Sequence, residues 1–269
     1  MNFYRHITFI TVTVLAISCF SVQSSAYLTG YSSLFNPITH NYKSINKSSK
    51  FPLTIVLDPG HGGKDGGCSH TQHNEKRITL EFAHTLSDIL KHYDTQIDIR
   101  FTRTEDKFVS LEQRAQMAND LQADLFISIH TNSIQDTTIR GFEAFVYGKS
   151  GDAPSHIENL IQNEDTFSNQ ASDISQLILT QLSKSATDER SLILGEKIHR
   201  KMAALSSIKN RGLKQAEFKV LKYTEMPSVL LELGFLTNPQ DSKLLNSKNG
   251  QKELAEQITS GIIEYLEKV

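Results

Sequence analysis

The chain has 269 residues, of which 38% are hydrophobic and 22% charged, with a formal net charge of −2. That length allows one large domain or two small ones with a sizeable core. The near-neutral balance lacks the basic face of a nucleic-acid binder, and no nucleic-acid partner is expected.

Residues 1–26, "MNFYRHITFITVTVLAISCFSVQSSA", hold one Arg and one His near the start, no acid, and an apolar run from Ile7 to Val22. Ser24 and Ala26 supply the small-residue pair of a signal-peptidase site, so the segment predicts a cleaved export signal. The apolar run is short and studded with Thr and Ser, which argues against a retained membrane anchor. Ala16 is a poor residue three before Cys19 for a lipoprotein. The mature chain is therefore expected in a periplasm or outside the cell, with no membrane span. Once Cys19 leaves with the signal, Cys68 is its single cysteine. No intramolecular disulfide is expected, and any metal has to come from His and carboxylate ligands.

Residues 27–50 are rich in Ser, Asn and Lys and read as a polar linker or arm; the folded domain is assigned to 51–269. Within it, strand patterns fall at 53–58, 97–101, 123–130, 141–147, 218–222 and 228–233. Helix patterns fall at 75–92, 110–121, 190–206 and 250–267. Ile78, Phe82, Leu86 and Ile89 lie on one helical stripe, as do Leu254, Ile258, Ile262 and Tyr265. "ADLFISIH" is a nearly continuous apolar run, as expected of a strand covered on both faces. The alternation predicts a single α/β domain with a mostly parallel central sheet flanked by helices. Residues 149–189 interrupt it as a long polar insertion, and loops of that length are often functional. The insertion carries two helical stripes of its own. Ile157, Leu160 and Ile161 form the first, with Glu164 on the same face, and Ile174, Leu177, Ile178 and Leu182 form the second.

The stretch "TIVLDPGHGGKDGG", residues 54–67, stops an apolar strand at Asp58 and spills into five glycines around His61. Pro59 removes a ladder donor, and the glycines permit close approach of a ligand to the backbone. His61 is thereby held at the carboxyl end of a strand, where open α/β sheets keep their sites. His130 ends the strand "DLFISIH". A lone histidine there is more often structural, but two at the same sheet edge are a plausible start to a zinc site. Glu75 opens the first helix on the face turned toward the sheet; an acid there is usually just favourable to the helix dipole, yet it also points at the glycine loop. His, Glu and His form the three-ligand pattern of catalytic zinc. Glu232 in "PSVLLELGFLTN" is a carboxylate within an apolar strand, where an unpaired charge is costly. It reads either as an ion pair with some Arg or Lys or as a general base beside the metal.

Five blocks in order, "IVLDPGHGGKDGG", "EKRITLEFA", "FTRTEDKFVSLEQRAQMANDLQADLFISIHTNS", "GLKQAEFKVLK" and "MPSVLLELGFLTN", make the chain resemble the zinc-dependent N-acetylmuramoyl-L-alanine amidases of the amidase-3 type. The resemblance runs from Leu53 to the C-terminus. It implies one Zn²⁺ held by His61, Glu75 and His130, with Glu232 as the acid/base. It implies peptidoglycan as substrate, cut at the amide between muramic acid and the L-alanine of the stem peptide, in cell separation or wall remodelling. No further wall-targeting domain or peptidoglycan-binding repeat is expected, and the protein is expected to be a monomer. The insertion resembles that of the cell-division subgroup, whose helix covers the cleft and places a glutamate on the zinc. That likeness implies autoinhibition through Glu164, with Glu158 the second choice, and release by an activator with a degenerate LytM-type domain. The plainer reading of Glu164 is a solvated helix end. A stem-cutting metallopeptidase and a catalytically inactive peptidoglycan-binding module are the alternatives. The complete ligand set with Glu232 argues against the second.

Overall fold

In a computed structural model the described residues are 52–70, 73–94, 96–148 and 171–268. The export signal, the polar arm and residues 149–170, Glu164 among them, lie outside the described residues. Strand β1 (Leu53–Pro59) is followed by a short hairpin, β2 (Ser69–His70) and β3 (His73–Asn74), which leads into helix α1 (Glu75–Tyr93). Next come β4 (Ile97–Phe101), α2 (Leu111–Asp120), β5 (Leu125–Asn132) and β6 (Phe142–Tyr147). The remaining elements are α3 (Ala171–Met202), β7 (Asn210–Ala216), the one-turn α4 (Lys219–Lys222), β8 (Ser228–Phe235), α5 (Pro239–Leu245) and α6 (Lys248–Leu266).

Six strands form one sheet in the order β4-β1-β5-β8-β6-β7. Every neighbouring pair is parallel except β6 against β8. The mostly parallel α/β expectation is met, with β6 and β7 running against the other four strands.

The two helical stripes read from sequence drive the packing. Ile78, Phe82 and Leu86 of α1 and Leu254, Ile258 and Ile262 of α6 are all fully buried. Each such side chain contributes on the order of 1.5–3 kcal/mol by leaving water. Asn74 fixes where α1 begins, its side chain accepting from the Lys76 amide at 3.2 Å. Helices α1, α3 and α6 cover one sheet face, where Leu57, Ile127 and Leu231 belong to the main core. Val56, Phe126 and Leu230 point to the opposite face and meet Ala118 of α2 and Val220 and Leu221 of α4 in a smaller core. The central strands are therefore buried on both sides. The smaller helices leave the carboxyl end of that second face to the functional residues described below.

Two predicted elements change, and beyond the short hairpin two unpredicted ones appear. The strand expected at 218–222 is instead the helical turn α4, and the strand lies just before it at Asn210–Ala216. Val220 and Leu221 are neighbours in sequence and both pack inward, which one helical turn allows and a pleated strand does not. β7 is an edge strand made of "NRGLKQA", partly exposed along its whole length; it carries no apolar run for a sequence pattern to detect. The helix expected at 190–206 begins at Ala171 and ends at Met202. The second stripe of the insertion thus falls in the first half of α3 rather than in a separate loop. Helix α5 was not anticipated, although Asn238 followed by Pro239 is a strong start signal, and the Asn238 side chain accepts from the amides of Gln240 and Asp241. No helix among the described residues is long and apolar enough to cross a membrane.

Candidate active site

His61 sits at φ 61°, in the left-handed region that histidine tolerates better than most residues but still visits at a cost. Buried arginines hold it there. Arg114 donates to the His61 carbonyl at 2.7 Å, to the Pro59 carbonyl at 2.7 Å and to Asp58 Oδ1 at 2.7 Å. Arg103 donates to the carbonyls of Pro59 and Gly60 at 2.9 and 2.8 Å and to that of Lys76 at 2.7 Å. Asp58 also accepts from Thr102 at 2.6 Å and Ser128 at 2.7 Å. Burial acts to raise its pKa, but the Arg114 charge and these three hydrogen bonds together hold it below the usual aspartate value. Asp58 is thus the anchor of a cationic scaffold beneath the loop, a role the sequence reading missed. The signal was present in "FTRTEDKFVSLEQRA", where both arginines stand.

The structure brings His61, Glu75 and His130 together, with one donor atom from each lying within 4.8 Å of the others. His61 Nε2 is 3.2 Å from Glu75 Oε2, and His130 Nδ1 is 3.0 Å from Glu75 Oε1. Glu75 is almost fully buried and also accepts from the amides of Cys68 at 2.8 Å and Thr131 at 3.0 Å. Burial disfavours its charge, but the hydrogen bonds from His130 and His61 prevail and hold its pKa well below the carboxylate range. On the other side of His61, Nδ1 lies 2.9 Å from Asp65 Oδ2. Asp65, also missed from sequence, fixes the ring so that Nε2 faces Glu75. A carboxylate behind a histidine is the usual outer support of a metal ligand.

Two glycines give the cluster its room. A Cβ at Gly60 would collide with the His130 ring, and one at Gly67 would lie 2.5 Å from Glu75 Oε2 and 2.6 Å from His61 Cδ2. Gly67 also stands at φ 64°. Gly60 and Gly67 of "GHGGKDGG" therefore rest against the donor side chains themselves. Cys68 borders the cluster; burial, then the Glu75 charge, push its thiol up to about 11.

Glu232 is the register partner of His130 on one side and of Glu143 on the other. Side chains at such positions share a face. His130, Glu232 and Glu143 therefore form a row across β5, β8 and β6. Glu232 Oε2 is buried with no hydrogen-bond partner among the described residues. Burial pushes its pKa up to about 7, against the pull of His130 and with the help of the Glu75 and Glu143 charges. The basic partners that a structural glutamate would claim go to Glu143 instead. Arg211 Nε and Lys214 Nζ both donate to its Oε1, at 2.6 and 2.5 Å. Sequence reading gave no role to any of those three residues.

Residues 55–264 match the family model described as N-acetylmuramoyl-L-alanine amidase. The chain belongs to that family. It is 33% identical over 227 residues to the N-acetylmuramoyl-L-alanine amidase AmiA of Escherichia coli K12, an alignment covering 81% of this chain and 78% of AmiA. Among solved structures, the catalytic domain of the CwlV amidase from Bacillus (Paenibacillus) polymyxa superposes with a TM-score of 0.61 at 28% identity, covering 80% of this chain and 98% of that one. The amidase AmiC2 of Nostoc punctiforme gives 0.60 at 29% identity, covering 81% and 99%. This chain is a peptidoglycan amidase, and the six-stranded sheet flanked by helices is the fold of its relatives.

Proposed function

We propose that this amidase is zinc-dependent, that His61, Glu75 and His130 hold one ion per chain, and that Glu232 moves the protons of the reaction. The donor set fits the metal: two imidazoles and a carboxylate suit Zn²⁺, and three protein ligands rather than four is the catalytic pattern. When bound, zinc supplies a Lewis acid that polarises the scissile carbonyl and acidifies water. The observation that carries the reading is the buried, unpartnered Oε2 of Glu232 in the row beside His130. A structural carboxylate in that position costs stability; a general base needs that freedom.

Glu232 accepts a proton from the water as its oxygen bonds to the amide carbon. It then delivers that proton to the alanine nitrogen as the C–N bond breaks. The second transfer directs the collapse, since without it the tetrahedral intermediate expels water rather than amine. Asp65 keeps the His61 ring turned, and the Arg103–Arg114 scaffold keeps the loop from relaxing out of its left-handed backbone.

The wider reading is that residues 1–26 export the protein to a periplasm or out of the cell, and that it serves cell separation or wall remodelling. Glu164 is proposed as a fourth, inhibitory ligand on the insertion; four protein donors close a zinc site to water. An activator with a degenerate LytM-type domain would then favour the released form. Resemblance alone supports this part. The test of the chemistry is mass spectrometry of muropeptides treated with the mature protein. Free stem peptides beginning with L-alanine are expected, lost in chelator and restored by zinc. Cuts within the stem would make the protein a peptidase instead.

A further inference from the structure

The block "GLKQAEFKVLK" marks the family, yet neither the metal cluster nor Glu232 uses it. Its strand, β7, carries a device of its own. The register between β6 and β7 shifts between Phe142 and Ala144, where Asn210 to Leu213 face one residue fewer on the partner strand. Gly212 stands in this bulge at φ 98°, with nothing within 4 Å of where its Cβ would be. Glycine is needed there for its backbone, not for space. Residues three apart on a regular strand face opposite ways. The bulge cancels that, and bulges beside active sites commonly re-aim a side chain. Arg211 and Lys214 consequently reach the same Oε1 of Glu143.

One buried carboxylate now faces two cations, so the end of the row beyond Glu232 carries an excess of positive charge. Both cations remain partly open to solvent, at 28% and 41% side-chain exposure. Arg211 spends only its Nε on Glu143, and its two terminal nitrogens have no acceptor among the described residues. The rings of Phe235 and Phe145, 5.4 and 5.7 Å away, flank the two charges. Neutralising Glu143 requires one of these cations; the second is surplus to a structural role.

Because Glu232 serves the departing nitrogen under the function proposed above, the stem peptide leaves from the Glu232 side of the metal cluster. The strands lying beyond Glu232 in that direction are β6 and then β7. A stem peptide carries carboxylates. We propose that Arg211 and Lys214 form a receptor for a carboxylate on the stem residue that follows the L-alanine. The pair thus selects anionic stems over amidated ones, with the free Arg211 nitrogens and Lys214 Nζ as donors.

The experiment uses two synthetic muramoyl-tripeptides differing only at the second stem residue, which carries a free carboxylate in one and a carboxamide in the other. Wild-type enzyme loaded with zinc is expected to favour the carboxylate substrate in kcat/KM by about 10-fold or more, the effect of one hydrogen bond between charged groups. In Lys214→Gln, where Arg211 still pairs Glu143 so that the fold is kept, that ratio is expected to fall toward one. A purely structural pair would lower turnover of both substrates alike and leave the ratio untouched. No preference in the wild type, or an unchanged preference in Lys214→Gln, overturns the proposal. Binding of the two peptides to Glu232→Gln is measured in parallel. A carboxylate preference in binding without turnover in the wild type would count against the chemistry proposed for Glu232 and in favour of the receptor.

Discussion

Glu143 and Glu232 stand opposite each other on neighbouring antiparallel strands, and the sheet treats them differently. Glu143 accepts from Arg211 and Lys214, and these bonds outweigh burial and hold its pKa low. Glu232 has a buried oxygen without a partner among the described residues, and burial pushes its pKa up to about 7. Two carboxylates in one row are thus shifted in opposite directions, one held charged by its cations and the other made harder to ionise by burial.

His61→Ala or His130→Ala should abolish stoichiometric zinc, read by elemental analysis after gel filtration of folded protein. Asp65→Asn should retain the metal more weakly, by about 10–100-fold in affinity, the usual effect of losing a histidine's outer support. Full occupancy in either alanine variant would remove that histidine from the ligand set.

Gly60→Ala tests the packing argument. The added methyl runs into the His130 ring, so the variant should keep its far-ultraviolet circular dichroism but lose zinc affinity. An alanine variant with normal zinc binding would mean that the loop and ring move apart freely.

The buried Asp58–Arg114 pair should support both stability and loop geometry. Breaking one side of such a pair typically costs about 3–5 kcal/mol, so Arg114→Met should lower the urea midpoint markedly. The pH dependence has a definite sign. Asp58 has a folded pKa below its unfolded value of about 3.9. Its contribution is therefore fully present well above that value and fades as pH falls through the folded pKa. The stability gap between wild type and Asp58→Asn should hold steady from about pH 7 to 5 and narrow below about pH 4. A gap that widens on acidification would contradict the assignment.

How much of this was legible in the sequence depended on the kind of signal. α1 and α6 were readable because burying Ile78, Phe82, Leu254 and Ile258 imposes a 3.6-residue period. β1, β5 and β8 were readable because two covered faces demand unbroken apolar runs. β7 was missed because an edge strand partly exposed along its length needs no apolar run, and "NRGLKQA" shows none of the apolar signal. His61, Glu75, His130 and Glu232 stood out because their residue types conflict with apolar surroundings. Asp58, Arg103 and Arg114 did not, because a buried arginine reveals its role only through carbonyls supplied by distant segments. Asp65 looked like an ordinary loop residue within its glycines.

The proposed latch is tested by substitution and truncation together. Glu164→Ala, and a deletion confined to residues 152–170, should hydrolyse purified sacculi faster than wild type without any activator. The deletion stops short of α3, which starts at Ala171 and contributes the buried Thr187 and Leu194. Equal rates in all three proteins would rule the latch out.

Glu232→Gln separates proton transfer by Glu232 from the holding of zinc by His61, Glu75 and His130. The substitution is nearly isosteric and touches none of the donors. Zinc content and turnover of muropeptides should be measured on the same sample. The predicted result is one zinc per chain, an unchanged fold, and a rate lowered by about 10²–10⁴-fold, the usual contribution of a general acid–base. Near-normal turnover with full zinc would contradict the account.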